Sequence, residues 1–156
     1  MHPIASAIYR LALALWVGGM SAFTFVVTPV IFRTQTRDAA GKIVGALFPV
    51  YFRFCLLVTA AALVARAASG RAFTGARQMA GTLLVVFCLG IVSYHAFALA
   101  PRMATVRETI VSLETAPKED PARREFSRLH GISMSLNLVV ILAGAVLILW
   151  YETFRS

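Results

Sequence analysis

Acidic side chains are scarce in this sequence, and none lies inside its long apolar runs. The 156 residues include 7 Asp and Glu against 15 Lys and Arg. A paired-carboxylate catalytic site or a carboxylate proton relay within those runs is therefore excluded. No Ser-His-Asp arrangement or phosphate-binding glycine loop is recognisable either. We expect a protein without catalytic residues, and the one enzyme class that we retain is a haem-dependent membrane oxidoreductase, which would borrow its cofactor's chemistry.

Cysteine is also rare. The chain has 2 cysteines, Cys55 and Cys88, and both fall inside apolar runs without a C-x-x-C pattern. This spacing argues against a disulfide framework and against a zinc finger. The simplest interpretation is that both are small buried apolar residues.

Long apolar runs are what the sequence has in abundance. Hydrophobic residues make up 59% of the chain, and the mean hydropathy is +0.77. Four runs, at about 4–32, 43–65, 78–99 and 129–151, can each supply the roughly 20 helical residues that cross a hydrocarbon layer. We therefore predict one membrane domain over 1–156, an all-α bundle of four transmembrane helices whose main partner is the lipid bilayer.

The basic residues indicate orientation rather than nucleic-acid binding. The net charge is +8, but Lys and Arg lie mostly at the ends of the apolar runs, where lipid headgroups would meet them. The first and third connectors carry Arg33, Arg37, Lys42, Arg102, Arg107, Lys118, Arg123, Arg124 and Arg128. The opposite side carries Arg66, Arg71, Arg77 and Arg155. We expect a bacterial cytoplasmic (inner) membrane protein with the first and third connectors in the cytoplasm.

The polar stretch at 102–128 is predicted to be mostly helical. Val106, Ile110 and Leu113 keep helical spacing, which indicates that the third helix continues or restarts beyond a proline at 101. Asp120 followed by Pro121 is typical of a helix start. The fourth helix should therefore begin well outside the membrane.

An internal similarity relates the first and third helices. Both contain the pattern G-x-x-S-x-x-x-F-x-x-x-P, as Gly18, Ser21, Phe25 and Pro29, and as Gly90, Ser93, Phe97 and Pro101. Because the two helices run in the same direction, a true repeat would be two helical hairpins related by an axis along the membrane normal. Chance reuse of a few residue types is the alternative. In the repeat, His95 occupies the position of Phe23.

Several small and polar residues are predicted to hold the helices together. Gly18, with alanines one turn away on either side, forms a small-residue ridge that lets a neighbouring backbone approach. The repeated prolines would permit a kink near the connector end of their helices. The other residues assigned to helix packing or to a polar interior are Gly19, Ser21, Ser93, Ser133 and Asn137.

Three segments resemble a known family. They are LWVGGMSAFTFVVTPVIFR at Leu15–Arg33, FPVYFRF at Phe48–Phe54 and FSRLHGISMSLNL at Phe126–Leu138. The chain resembles the family of four-helix membrane proteins represented in animals by transmembrane protein 205, and the most specific elements are W-x-G-G and LHGxSMxxNL. The resemblance implies a fold and a topology rather than an activity, because that family is largely uncharacterised.

Polar side chains inside an apolar helix are a functional hypothesis by default. His130, Ser133, Met134 and Asn137 recur at i, i+3, i+4 and i+7, and so lie on one stripe of the fourth helix. His95 lies on the third helix at what the sequence predicts to be a similar depth. We therefore expect the two histidines to converge in the bundle.

The converging histidines predict a haem or transition-metal site between helices three and four. Imidazoles are usual axial ligands of haem b, and Arg53, Arg102 and Arg128 could pair with its propionates. Met134 and Cys88 would add soft ligands for copper. In the structural alternative, His130 bonds a carbonyl or Ser93 and Asn137 bridges two helices.

Two other functions stay open. A small-solute or ion transporter or channel without a cofactor would need a polar cavity, and would favour a homo-oligomer because four helices enclose little volume. A structural or assembly partner in the membrane would need neither cavity nor cofactor. The sequence identifies no ligand.

Overall fold

Four long helices make up most of the chain. The computed structural model describes residues 3–70, 72–117 and 119–153. Helix α1 spans Pro3–Thr34, α2 Arg37–Ala68, α3 Ala76–Glu108 and α4 Pro121–Thr153. All four are long and apolar enough to cross a membrane, and the described part of the chain contains no strand. The predicted all-α fold with four membrane-spanning helices is confirmed.

The helices form a square bundle. Helix α1 packs against α2 and α4, and α3 packs against the same two helices, so α1 and α3 are diagonally opposite. Trp16, Cys55, Val85, Cys88 and Val140 are fully buried along its interior. In the most apolar window of each helix only 22–33% of the residues are buried. The remaining residues form the apolar outer surface that contacts the lipid.

Side-chain caps determine where two of the helices begin. The Ala39 N–H donates to the Thr36 Oγ1 at 3.3 Å at the start of α2. The Arg123 N–H donates to the Asp120 Oδ1 at 2.9 Å, and Pro121 is the first residue of α4. A cap satisfies an amide that the helix itself leaves unpaired. Proline suits the first helical position because an amide there would have no partner within the helix. The predicted helix start at 120–121 is thus confirmed.

The first and third connectors meet at the same end of the bundle. The Asp38 carboxylate accepts hydrogen bonds from the Ser112 Oγ at 2.5 Å and from the Leu113 N–H at 2.7 Å. Arg107 pairs with the same carboxylate at 3.1 Å. We call these four residues the connector clasp, and the end that carries it the connector end.

Helix α3 continues beyond Pro101, as predicted, and ends at Glu108. Its last turns pack on α4 through Leu99, Met103 and Leu129, which are 2%, 6% and 3% exposed. This apolar cluster fills the bundle between its middle and the connector end. Ile110 is buried at 5% exposure, although it lies beyond the helix.

The predicted packing residues have different environments. A Cβ on Gly19 would lie 2.6 Å from Phe54, so this glycine makes a close helix contact. A Cβ on Gly18 would meet nothing within 4 Å, and the ridge around it is exposed. The Ser93 hydroxyl donates to the Leu89 carbonyl of its own helix at 2.7 Å. Ser21 and Ser133 are half-buried. The structure does not bring Gly18 into a contact between helices of this chain.

Candidate functional site

Each of the four helices contributes one polar side chain near the middle of the bundle. The Tyr51 hydroxyl donates to the Asn137 Oδ1 at 2.7 Å, across the diagonal between α2 and α4. The Asn137 amide donates to the Thr24 Oγ1 of α1 at 2.9 Å. From α3, His95 packs its ring on Phe52, the residue next to Tyr51. We call Thr24, Tyr51, His95 and Asn137 the central polar layer.

Two π-helical turns carry half of this layer. The first spans Phe23–Val27 and includes Thr24, and the second spans His95–Leu99. In each turn the closing bond joins residues five apart: Thr28 donates to the Phe23 carbonyl, and the N–H of residue 100 donates to the His95 carbonyl. Such turns are rare and occur frequently at functional sites. Each is followed by one of the repeated prolines, which has no N–H to continue the ordinary ladder.

The π turns occupy equivalent positions in the sequence repeat. The alignment that pairs Gly18 with Gly90 also pairs Phe23 with His95, the first residues of the two turns. Pro29 and Pro101, which belong to the repeated pattern, follow the two turns at the same distance. The matching prolines thus account for the matching turns.

His95 is the most deeply enclosed polar group of the layer. Its side chain is 1% exposed, and the ring centroids of His95 and Phe52 are 5.2 Å apart. The Nε2 atom is buried and has no hydrogen-bond partner. A buried polar atom left unpaired costs about 1–3 kcal/mol, so this nitrogen is a natural contact point for a ligand or a bound water.

Aromatic rings border the layer on the α2 side. Phe23 stacks on Tyr51 with ring centroids 4.2 Å apart, and Tyr51 meets Phe52 edge-on at 5.3 Å. Phe48 completes the group at 5.6 Å from Phe52 and 6.3 Å from Phe23. We call these four residues the aromatic wall. The ring contacts with Phe23 and Phe52 and the bond to Asn137 together hold the Tyr51 hydroxyl in position.

The residues predicted to bind a metal ion separate into two pairs. His95 and Cys88 are buried inside the bundle at 1% and 0% exposure. His130 lies on the exposed side of α4, where its ring stacks on Phe126 with centroids 6.2 Å apart, and Met134 is 38% exposed. Over the described ranges, no three His, Cys, Asp or Glu side chains are grouped so that they could hold a metal ion.

The three arginines predicted to meet propionates do not converge on His95. Arg102 is 57% exposed at its side chain and forms an ion pair with Glu125 at 2.6 Å. Arg53 and Arg128 are exposed. The ion pair accounts for Arg102, and none of the three guanidinium groups is enclosed with His95 inside the bundle.

Three functional candidates were not singled out from the sequence. By sequence pattern, Thr24 and Tyr51 are ordinary helix residues. Arg66 was counted as a surface charge, yet it is 9% exposed and hydrogen-bonded to Tyr9, Gln78 and Thr82. The sequence carries no signal for its burial, because an arginine in the last turn of an apolar helix ordinarily reaches the membrane surface.

Comparisons with known proteins indicate a family but no activity. The family described as Domain of unknown function (DUF4149) matches residues 11–112. An uncharacterized protein of Aquifex aeolicus is 30% identical over 148 residues, which is 92% of this chain and 97% of that protein. No solved structure matches the chain. The family match includes Thr24, Tyr51 and His95 and ends before α4.

Proposed function

Since this chain belongs to the DUF4149 family, whose description names no activity, we propose from the central polar layer that it binds and transports a small uncharged solute. The observation that carries the proposal is the pair of π turns at matching positions of the repeat. In transporters built from repeats, interrupted helices at corresponding positions mark the substrate site. The two interruptions here both adjoin the polar layer.

The chemistry of the layer supports an uncharged solute. Its four side chains offer two hydroxyls, one amide and one imidazole, and none of the four is a carboxylate or a guanidinium. A charged solute would leave its water shell without a fixed counter-charge, at a cost of several kcal/mol. A small molecule with both donors and acceptors would exchange its water contacts for those of Asn137, Tyr51 and His95.

The layer is enclosed in this conformation. Leu99, Met103 and Leu129 fill the bundle on the connector side, and Trp16 fills it on the other. Transport would require these contacts to open alternately, with the π turns and their prolines as the points of bending. We extend the proposal to orientation: the connector end faces the cytoplasm of a bacterial inner membrane.

An osmotic assay tests the proposal. Purified protein in phosphatidylcholine vesicles is mixed with urea, glycerol or erythritol, and reswelling is followed by light scattering. We expect faster entry of at least one solute than in empty vesicles, and loss of the effect in Asn137→Leu and His95→Phe. His130→Phe is the matched control, because His130 lies outside the layer. Equal rates for protein-containing and empty vesicles, or for wild type and Asn137→Leu, would contradict the proposal.

A second candidate is a transition-metal ion or haem b bound by His95. It is supported by the buried, unpartnered Nε2 atom. Of the two predicted histidines, the site would use only His95, because His130 lies on the outer surface. Cys88 lies two helical turns from His95 on the same helix. A visible spectrum and elemental analysis of purified protein should then show a signal lost in His95→Phe and retained in His130→Phe.

The resemblance to the transmembrane protein 205 family enters this proposal through the same residues. Two of the three segments that carry it contain Tyr51 and Asn137, which bond each other in the layer. We propose that this chain is related to that family through the segments that form the layer. We also propose that the exposed small-residue ridge at Gly18 forms the contact between copies of this chain in a homo-oligomer.

A further inference from the structure

A cavity lies at the connector end, between the first turns of α2 and the end of α3. Its volume is about 400 Å³, which falls within the range of roughly 300–1,000 Å³ typical of small-molecule sites. Four of the residues that line it are charged: Asp38, Lys42, Arg107 and Glu108. These side chains, two of each sign, therefore face one common space.

Two of these charges already pair with each other. The Arg107 Nη2 donates to the Asp38 Oδ1 at 3.1 Å, and its Nη1 donates to the Ile110 carbonyl at 3.0 Å. The Arg107 Nε is buried without a hydrogen-bond partner, and a Cβ on Gly41 would lie 3.7 Å from it. Arg107 thus gives the cavity wall a fixed positive charge and one N–H that is not used.

The other two charges have no direct partner. Lys42 and Glu108 are exposed, and within the described part of the chain neither the Lys42 ammonium nor the Glu108 carboxylate takes part in a hydrogen bond or an ion pair. The Lys42 charge acts on the Asp38 carboxylate only through space. The same cavity therefore presents one unpaired charge of each sign.

The position of Glu108 favours a cation beside it. Glu108 is the last residue of α3, where the helix dipole and the last carbonyl groups are themselves negative. A cation there interacts with the carboxylate and with the helix end together. On the other side of the cavity, Lys42 and Arg107 are both positive. The lining thus suits a ligand with a cationic end at Glu108 and an anionic end at Lys42.

Apolar surface connects this cavity with the membrane. Val111 lines the cavity and is fully exposed. Next to Lys42, the exposed residues Ile43, Leu47 and Val50 recur at i, i+4 and i+7, and so follow one face of α2 from the cavity toward the bilayer. A lipid whose headgroup lies in the cavity would have its acyl chains along this face.

We propose that the cavity binds a zwitterion that carries a primary ammonium and a phosphate, as the headgroup of phosphatidylethanolamine does. The ammonium donates to the Glu108 carboxylate, and the phosphate oxygens accept from Lys42 beside the positive charge of Arg107. Free phosphoethanolamine has the same two groups, and the test distinguishes the two sources. This site is separate from the central polar layer and does not depend on solute transport.

The test measures the thermal midpoint of the full-length protein in dodecyl maltoside. Separate series receive phosphatidylethanolamine, phosphatidylcholine or phosphatidylglycerol in mixed micelles, and a further series receives free phosphoethanolamine at constant ionic strength. We expect a saturable rise of about 3–6 °C at ten times the Kd for phosphatidylethanolamine. A response to this lipid alone identifies a lipid site, and a response to free phosphoethanolamine as well identifies a site for the soluble zwitterion; both support the proposal.

The other two lipids test the ammonium. Phosphatidylcholine has a quaternary ammonium without an N–H, and phosphatidylglycerol has no ammonium. Each should bind about threefold more weakly than phosphatidylethanolamine, or weaker still.

The variants test each end of the ligand. Lys42→Gln and Glu108→Gln should each raise the Kd for phosphatidylethanolamine roughly three- to tenfold, and both side chains are exposed, so the core stays intact. Glu108→Gln should also abolish the preference over phosphatidylglycerol, because the ammonium loses its partner. Arg124→Gln and Glu119→Gln are the matched controls, since they remove exposed charges at the same end that do not line the cavity.

Three results would overturn the zwitterion site. One is a wild-type midpoint that responds neither to phosphatidylethanolamine nor to free phosphoethanolamine. Another is an equal response to phosphatidylethanolamine and phosphatidylglycerol. The third is an equal effect of the cavity variants and their controls, which would show that only the surface charge matters. Asn137→Leu should respond as wild type does, so failure of the solute proposal leaves this result unaffected.

Discussion

Replacing Asn137 by leucine is the sharpest test of the central polar layer. The substitution removes two hydrogen bonds, to the Tyr51 hydroxyl at 2.7 Å and to the Thr24 Oγ1 at 2.9 Å. Hydrogen bonds between membrane helices average about 0.6 kcal/mol and reach about 1.7 kcal/mol. The loss of both predicts a destabilisation of about 1–3 kcal/mol. The stranded Tyr51 hydroxyl, which is buried against Phe23, places the value in the upper part of this range.

A double-mutant cycle isolates the Tyr51 bond. Unfolding of wild type, Asn137→Leu, Tyr51→Phe and the double variant is followed by near-ultraviolet circular dichroism as sodium dodecyl sulfate replaces a mild detergent. We expect a coupling free energy of about 0.6–2 kcal/mol between the two sites. Ser135→Leu is the control on the same helix, because its exposed hydroxyl bonds only the Gly131 carbonyl at 3.0 Å. A coupling free energy indistinguishable from zero would show that the hydrogen bond between Tyr51 and Asn137 does not stabilise the fold.

Two further predictions concern packing and the connectors. Gly144→Ala places a methyl group 2.7 Å from the Val17 Cγ2 and should lower the unfolding free energy by about 1–3 kcal/mol. Gly18→Ala, with nothing within 4 Å, should stay within about 0.5 kcal/mol of wild type in detergent. Equal effects of the two alanines would contradict the packing described here. Asp38→Asn weakens the carboxylate's bonds to the Ser112 hydroxyl and the Leu113 amide, so hydrogen exchange over residues 109–117 should quicken severalfold while Asn137 stays protected. Unchanged exchange in that connector would show that the clasp does not hold it.

Sequence patterns predicted the helices well because a membrane helix depends on residues that are close together in the chain. The apolar runs identified the four helices, and Asp120 with Pro121 identified the start of α4, where the cap and the proline act within one turn. The same patterns predicted that α3 continues past Pro101. They did not predict its end at Glu108, since the following residues are held by Asp38, a contact distant in sequence.

The interior of the bundle was harder to predict because it depends on which residues lie opposite at each height. His130 and Asn137 are seven residues apart and lie on nearly the same face of α4, about 10 Å apart along its axis. Yet Asn137 is 6% exposed and His130 is exposed. At the height of His130 the inward position is taken by Leu129, which packs on Leu99 and Met103. Helical periodicity shows which residues share one face of α4, but only packing between helices decides which of them are buried.

Phe23 and His95 begin the two π turns, but their rings meet different neighbours. In the first half the π turn begins with Phe23, whose ring stacks on Tyr51. In the second half the equivalent position is His95, whose ring packs on Phe52 and whose Nε2 is unpaired. Phenylalanine keeps an aromatic ring for the contact with Phe52, and that contact does not use the unpaired Nε2 of the imidazole. His95→Phe should therefore leave the bundle folded, and its effect on solute entry or on a bound metal reports function rather than stability.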